Sequence, residues 1–336
     1  MGTTIALLAV RTPGIIIGPI ARVLGIVYNA LFNFIYSISP MNSLGIAIIL
    51  FTLIVKSIFF PLLVKQQKST LAMQKLQPEM AKIKKKYENK KDMESQQKMS
   101  MEMQKLQKDN NVSMLGGCLP LLVQLPILYA LYYIFQQAYV YVDVVGQNYD
   151  SITNILMSVP VDLRLSALSD IIMNHKLTID VAQAADIKTL VSQLTMTDWN
   201  SVLSVIGSTY ENQLLPLLET KTEMEYFLGV SLVTKPGLTF PGVIIPIIAG
   251  ATTFLQTYAL NKNSQAQTGA SANDPTMQSM KMMNYFMPIM MGVMTISLPA
   301  GLGVYWAVSN LFQALQTIII NKALRIKDAK LGEERK

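Results

Sequence analysis

The chain has 336 residues, of which 51% are apolar and only 15% charged, and its formal net charge is +7. Soluble domains carry about 25% charged residues, so an ordinary soluble globule is excluded. One cysteine, Cys118, leaves no intramolecular disulfide, and a single histidine, His175, removes most metal and acid–base chemistry. No Gly-rich phosphate loop, paired-carboxylate site or Ser/His/Asp set stands out, so neither an enzyme nor a cofactor or metal is expected.

Apolar runs of membrane length lie at 43–64, 117–136, 241–260, 282–298 and 300–320. They predict an all-α, multi-pass membrane protein. Before them, residues 1–40 hold Ile16, Ile20, Val23, Leu24, Val27, Leu31, Phe34 and Ile35 at the spacing of one helix face. Arg22, Asn29 and Asn33 fall opposite. This pattern suits a helix lying in the interface plane; a sixth span or an uncleaved signal-like anchor are the alternatives. Lipoprotein processing is not expected, because no lipobox cysteine is present.

Residues 41–64 form the first expected span, and Lys56 stands inside it. With the hydrocarbon edge near Lys65, its position is nine residues in, roughly 13 Å at ~1.5 Å per residue. A charge at such depth costs about 2.5–3.5 kcal/mol on insertion scales, so its ammonium needs water, a partner or a polar cavity. Simple snorkelling is the bland alternative.

Residues 65–112 read as two polar helices joined near Asn89–Asp92, with Pro78 starting the first. Narrow seams of Leu76, Met80, Ile83 and Tyr87, and of Met99, Met103 and Leu106, predict an antiparallel hairpin. It is either a solvated spacer or a docking arm for a nascent chain, ribosome or targeting receptor. The second span, within 113–139, carries Gln124 between Pro120 and Pro126. Prolines free backbone carbonyls that need polar neighbours in a bilayer. Gln124 lines a groove or makes an interhelical hydrogen bond, worth about 0.6 kcal/mol on average.

Residues 140–238 form an insert, predicted mostly helical from pieces such as Leu163–Ile172 and Val202–Leu218, with Trp199 in its core. Residues 239–321 hold the last three spans. The fourth, with the residues just before it, contains Met277, Met280, Met282, Met283, Met287, Met290, Met291 and Met294. Methionine is overused at surfaces that accept varied apolar partners, and lipid-facing filler is the alternative.

Charge sets the expected topology. Residues 65–109 hold twelve Lys against six acids, and the 322–336 tail six Lys/Arg against three. Residues 137–240 hold five Lys/Arg against eleven acids. The positive-inside rule places the first two in the cytoplasm and the acidic stretch outside, with the N-terminus out and the C-terminus in. Basic membrane flanks also attract anionic lipids. The net charge therefore implies no specific nucleic-acid readout, and the tail is a candidate ribosome contact.

FTLIVKSIFFPLLVKQQKS from Phe51, LQPEMAKIKKKY from Leu76 and NVSMLGGCLPLLVQLPILYALYY from Asn111 follow in order. FPGVIIPIIAGATTFLQ from Phe240 and MNYFMPIMMGVMTISLPAGLGVYWAVSN from Met283 come next. Over residues 41–139 and 226–325 the chain resembles the YidC/Oxa/Alb family of membrane protein insertases. The resemblance implies a bacterial plasma-membrane insertase and chaperone: a five-transmembrane-helix bundle around a hydrophilic groove, with a cytoplasmic helical hairpin and an N-terminal amphipathic helix. Nascent membrane proteins are the implied clients. The ribosome, membrane lipids and, as a further candidate, the Sec translocon are the implied partners. Lys56 matches the family's basic groove residue, which is most often arginine. Lysine keeps the charge but loses the planar five-donor fork. Thr52, Gln124 and Tyr305 match other groove positions, and Met287, Met290, Met291 and Met294 suit a surface along which a substrate helix slides. The 141–225 insert has no recognised counterpart. The rival reading is a secondary transporter or channel using Lys56 as an ion site; no internal repeat favours it.

Overall fold

The computed structural model describes residues 14–88, 90, 92–110, 112, 119–267 and 275–333. Cys118, the 268–274 part of the linker and the two chain ends lie outside them. The described residues are overwhelmingly helical. In chain order come α1 (Gly14–Ile38), α2 (Ser43–Ile58), α3 (Phe60–Tyr87), α4 (Met93–Asp109) and α5 (Leu119–Gln136). The insert follows as α6 (Ala138–Tyr141), α7 (Asp143–Ser158), α8 (Val161–Asn174), α9 (Ala184–Val191), α10 (Met196–Ile206) and α11 (Ser208–Glu225). A small hairpin, β1 (Tyr226–Phe227) and β2 (Val230–Ser231), leads to α12 (Ile244–Gln267), α13 (Pro275–Ile296) and α14 (Ala300–Glu333). The chain divides into two compact units: residues 1–52, 126–249 and 292–306 form one, and 53–125, 250–291 and 307–336 the other.

The first unit has an aromatic core. Tyr28 meets Phe51 and Phe135 edge-on at 5.8 and 5.6 Å, and its hydroxyl donates to the Leu44 carbonyl at 3.2 Å. The buried side of α1 is Ala21, Gly25, Tyr28, Phe32 and Ile35. Of the eight aliphatic and aromatic positions at the spacing of one face, only Ile35 is buried, while Ile16, Val23 and Phe34 are more than 60% exposed. The reason is steric. A Cβ on Gly25 would lie 2.6 Å from Tyr141 Cδ1, so Gly25 lets its side of the helix approach the protein closely, while Tyr28 and Phe32 on that side are fully buried. Among the described residues, α1 alone is long and apolar enough to cross a membrane as a single helix.

The insert is tied together by buried polar contacts. On α11, Lys221 Nζ donates to Glu225 Oε2 at 2.5 Å, and Tyr149 Oη of α7 donates to Glu225 Oε1 at 2.5 Å. Burial, and after it the Glu225 carboxylate, hold the Tyr149 hydroxyl well above the ordinary tyrosine range. Trp199 is buried in α10, whose start is closed by a Thr195–Asp198 capping box. The expected Val202–Leu218 piece is two helices, because Gly207 at φ +86° ends α10 and begins α11.

In the second unit α3 and α4 form an antiparallel pair. Lys86 Nζ and Tyr87 Oη donate to Glu102 Oε1 at 2.6 and 2.9 Å, holding that carboxyl below the usual range. The seam is less apolar than its spacing suggests, since Gln74 and Gln107 are buried beside Leu76 and Tyr87. Pro78 does not start a helix; it lies inside α3, which begins at Phe60 with Pro61 in its first turn.

Candidate functional site

The apolar run 43–64 is not one straight helix. α2 ends at Ile58 and α3 starts at Phe60, and the two are bent by 61°. Pro61 has no backbone N–H and favours a helix start there, so the break falls just before it. Lys56 therefore occupies the last turn of α2 rather than the middle of a continuous span. A cation is favoured there by the partial negative charge of the helix C-terminus.

Lys56 Nζ donates to Gln313 Oε1 at 3.2 Å. Among the described residues no carboxylate lies within 4.0 Å of it. Gln313 belongs to a polar stripe on α14, where Asn310, Gln313, Thr317 and Asn321 recur at intervals of three and four and so share one face. Asn310 Nδ2 donates to Thr253 Oγ1 at 2.8 Å, and Gln67 Nε2 donates to Asn321 Oδ1 at 2.8 Å. Gln316 Oε1 and Thr317 Oγ1 are buried without a hydrogen-bond partner. The second unit thus holds a positive charge beside a column of amide and hydroxyl groups, a surface able to accept and donate hydrogen bonds within an apolar helix.

Of the other candidates, Gln124 is half-buried on α5 in the same unit as Lys56. Thr52 and Tyr305 belong to the first unit. Thr52 is fully buried, and its hydroxyl donates to the Ile48 carbonyl at 2.6 Å, which commits its proton within α2. Tyr305 is also buried. On α13, Met287 and Met294 are exposed and Met290 and Met291 half-buried. Tyr285, Phe286, Ile289 and Val293 are the most exposed of the described side chains on that helix.

The model of the 60Kd inner membrane protein family matches residues 34–328, including the broken α2–α3 run, the hairpin and the polar stripe of α14. The chain belongs to this family, that of the YidC/Oxa/Alb proteins. A relative from Clostridium perfringens (strain 13 / Type A), named membrane protein insertase YidC, is 30% identical over 324 residues, 96% of this chain and 98% of its own. An Enterococcus faecalis (strain ATCC 700802 / V583) protein of the same name is 33% identical over 286 residues, covering 85% and 70% of the two chains. Membrane protein insertase YidC 2 of Bacillus anthracis is 30% identical over 291 residues, 87% and 76%. Family membership makes this a bacterial membrane protein.

Residue-by-residue reasoning had missed Gln313, Asn310, Thr317 and Asn321. Their signal was in the sequence: amides and hydroxyls at helical spacing inside and just beyond the apolar run 300–320. What selected them was Lys56 itself, whose ammonium finds Gln313 257 residues away.

Proposed function

We propose that this protein is a membrane protein insertase in which Lys56 and the polar face of α14 receive a nascent membrane protein and release its apolar helix into lipid. The observation that carries this is the Lys56–Gln313 contact beside buried amides and hydroxyls on a helix of membrane length. Moving a polar or acidic segment through hydrocarbon is opposed by desolvation. A hydrated groove along the α14 stripe shortens the dry path and satisfies Gln316 and Thr317. The Lys56 ammonium, with no carboxylate at ion-pair distance among the described residues, offers acidic substrate residues a countercharge.

In this reading the chain crosses the bacterial plasma membrane five times, with the N-terminus out, the α3–α4 hairpin and basic tail in the cytoplasm, and the insert outside. Ribosomes contact the hairpin and tail, the Sec translocon and lipids are neighbours, and Gln124, in the same unit as Lys56, lines the groove. The substrate helix leaves along the Met287, Met290, Met291 and Met294 side of α13. The driving force is burial of that helix in lipid, assisted by the membrane potential at ~2.3 kcal/mol per charge per 100 mV.

The test is insertion of a substrate with an acidic translocated tail into proteoliposomes. Lys56→Ala is expected to lower it about tenfold, the loss of one charge-assisted contact of ~1.4 kcal/mol, whereas Lys56→Arg retains it. Equal insertion by wild type and Lys56→Ala would remove Lys56 from the mechanism.

A further inference from the structure

We infer that the tip of the β1–β2 hairpin and the loop leading into α12 form a lipid anchor, seating the insert on the outer leaflet through Leu228, Leu238 and Phe240. Leu228 and Gly229 make a two-residue turn between the paired residues Phe227 and Val230, and both have positive φ, +53° and +78°. Such turns take Asn-Gly or Asp-Gly, because side chains other than these strain the left-handed backbone. Leucine is a poor choice for the turn and, at 59% exposure, a poor choice for water. Both disadvantages point to a use for the side chain.

A second segment meets this tip. Gly229 packs against Pro241, since a Cβ on it would lie 3.3 Å from Pro241 Cγ. The neighbouring Phe240 is 80% exposed and Leu238 68%. Their loop folds back on its own backbone: the Pro236 carbonyl takes the place a Cβ on Gly242 would need. Leu238 and Phe240 are left on its outside. Lys235, exposed in the same loop, adds a cation suited to phosphate headgroups.

The position of the patch selects its occupant. Phe227 packs on Gly45 in the first turn of α2. The Leu232 and Thr234 carbonyls accept from Gly301 N and Ala300 N at the start of α14, each at 2.8 Å. The loop itself runs into α12 through Val243 N to the Thr239 carbonyl at 3.0 Å. The patch is thus gathered at three helix starts, which in the topology proposed above all lie at the outer membrane surface. Exposed aromatic and aliphatic side chains with a lysine at that level match the composition of membrane interfaces. The inference rests on that topology but not on the insertase groove.

The full chain with Cys118→Ser and a single Phe240→Cys, labelled with an environment-sensitive fluorophore, is reconstituted in phosphatidylcholine–phosphatidylglycerol vesicles. Lipid carrying a nitroxide near the headgroup end of its acyl chain is expected to quench this label about threefold more than one at Ser204→Cys, an exposed site on α10. Leu228→Asn, which suits the turn and leaves the fold intact, is expected to reduce that excess by about half. Quenching no greater than at Ser204 overturns the anchor. So does shielding from aqueous iodide without lipid quenching, which would indicate a second copy or another protein on the patch. Labelling of Ser204→Cys in intact cells by an impermeant maleimide reports sidedness separately, so failure of the anchor and failure of the topology are distinguishable.

Discussion

Lys56 is tolerated because three local features act together: it ends a helix, it meets an amide, and a bend frees the chain around it. The Gln313 amide oxygen is a neutral acceptor, so it orients the ammonium without cancelling its charge. Replacing it should therefore separate orientation from charge. Gln313→Glu is expected to pair with Lys56 and lower insertion of acidic-tailed substrates about tenfold, while neutral-tailed substrates are unaffected. Gln313→Leu should reduce both classes only two- to threefold, about the net worth of one hydrogen bond. Insertion assays with the two substrate classes check this, and a uniform loss would make Gln313 a packing residue. The lysine was legible from sequence because a charge in an apolar run is conspicuous. Its partner was not, because the two glutamines of α14, Gln313 and Gln316, look alike until the fold selects one.

The elements obey local rules, and single residues set their boundaries. Pro61 starts α3 where a continuous span was expected, and Gly207 divides α10 from α11. The insert depends on α11 meeting α7, and that contact is charged: Lys221 and Glu225 are almost fully buried, with Tyr149 on the same carboxylate. Removing one member of such a pair leaves the other charge unpartnered, at about 3–5 kcal/mol. Lys221→Met is thus expected to destabilise the insert by that amount, measured as denaturant-dependent proteolysis. The Lys221→Met, Glu225→Gln pair should recover part of the loss. A negligible effect of Lys221→Met would mean that water already solvates the carboxylate. The i,i+4 spacing of Lys221 and Glu225 was visible in the sequence, whereas their burial was not, since α7 lies far away in the chain.

At the scale of the molecule, charge asymmetry and apolar runs support the proposed topology. In intact cells, an impermeant maleimide is expected to label Ser204→Cys in the insert but not Gln97→Cys in the α3–α4 hairpin until the membrane is opened. Labelling of both before lysis would overturn the five-span arrangement. The sequence by itself determined the helical class, the membrane environment, the unequal distribution of basic and acidic segments, and the family. These depend on hydrophobicity, periodicity and motif order, which are properties of contiguous residues. Only the tertiary structure decided which face of α1 is buried and which amide meets Lys56. It also brought Leu228 beside Pro241. Those outcomes depend on close approach between segments distant in the chain, where a single Cβ outweighs the local pattern.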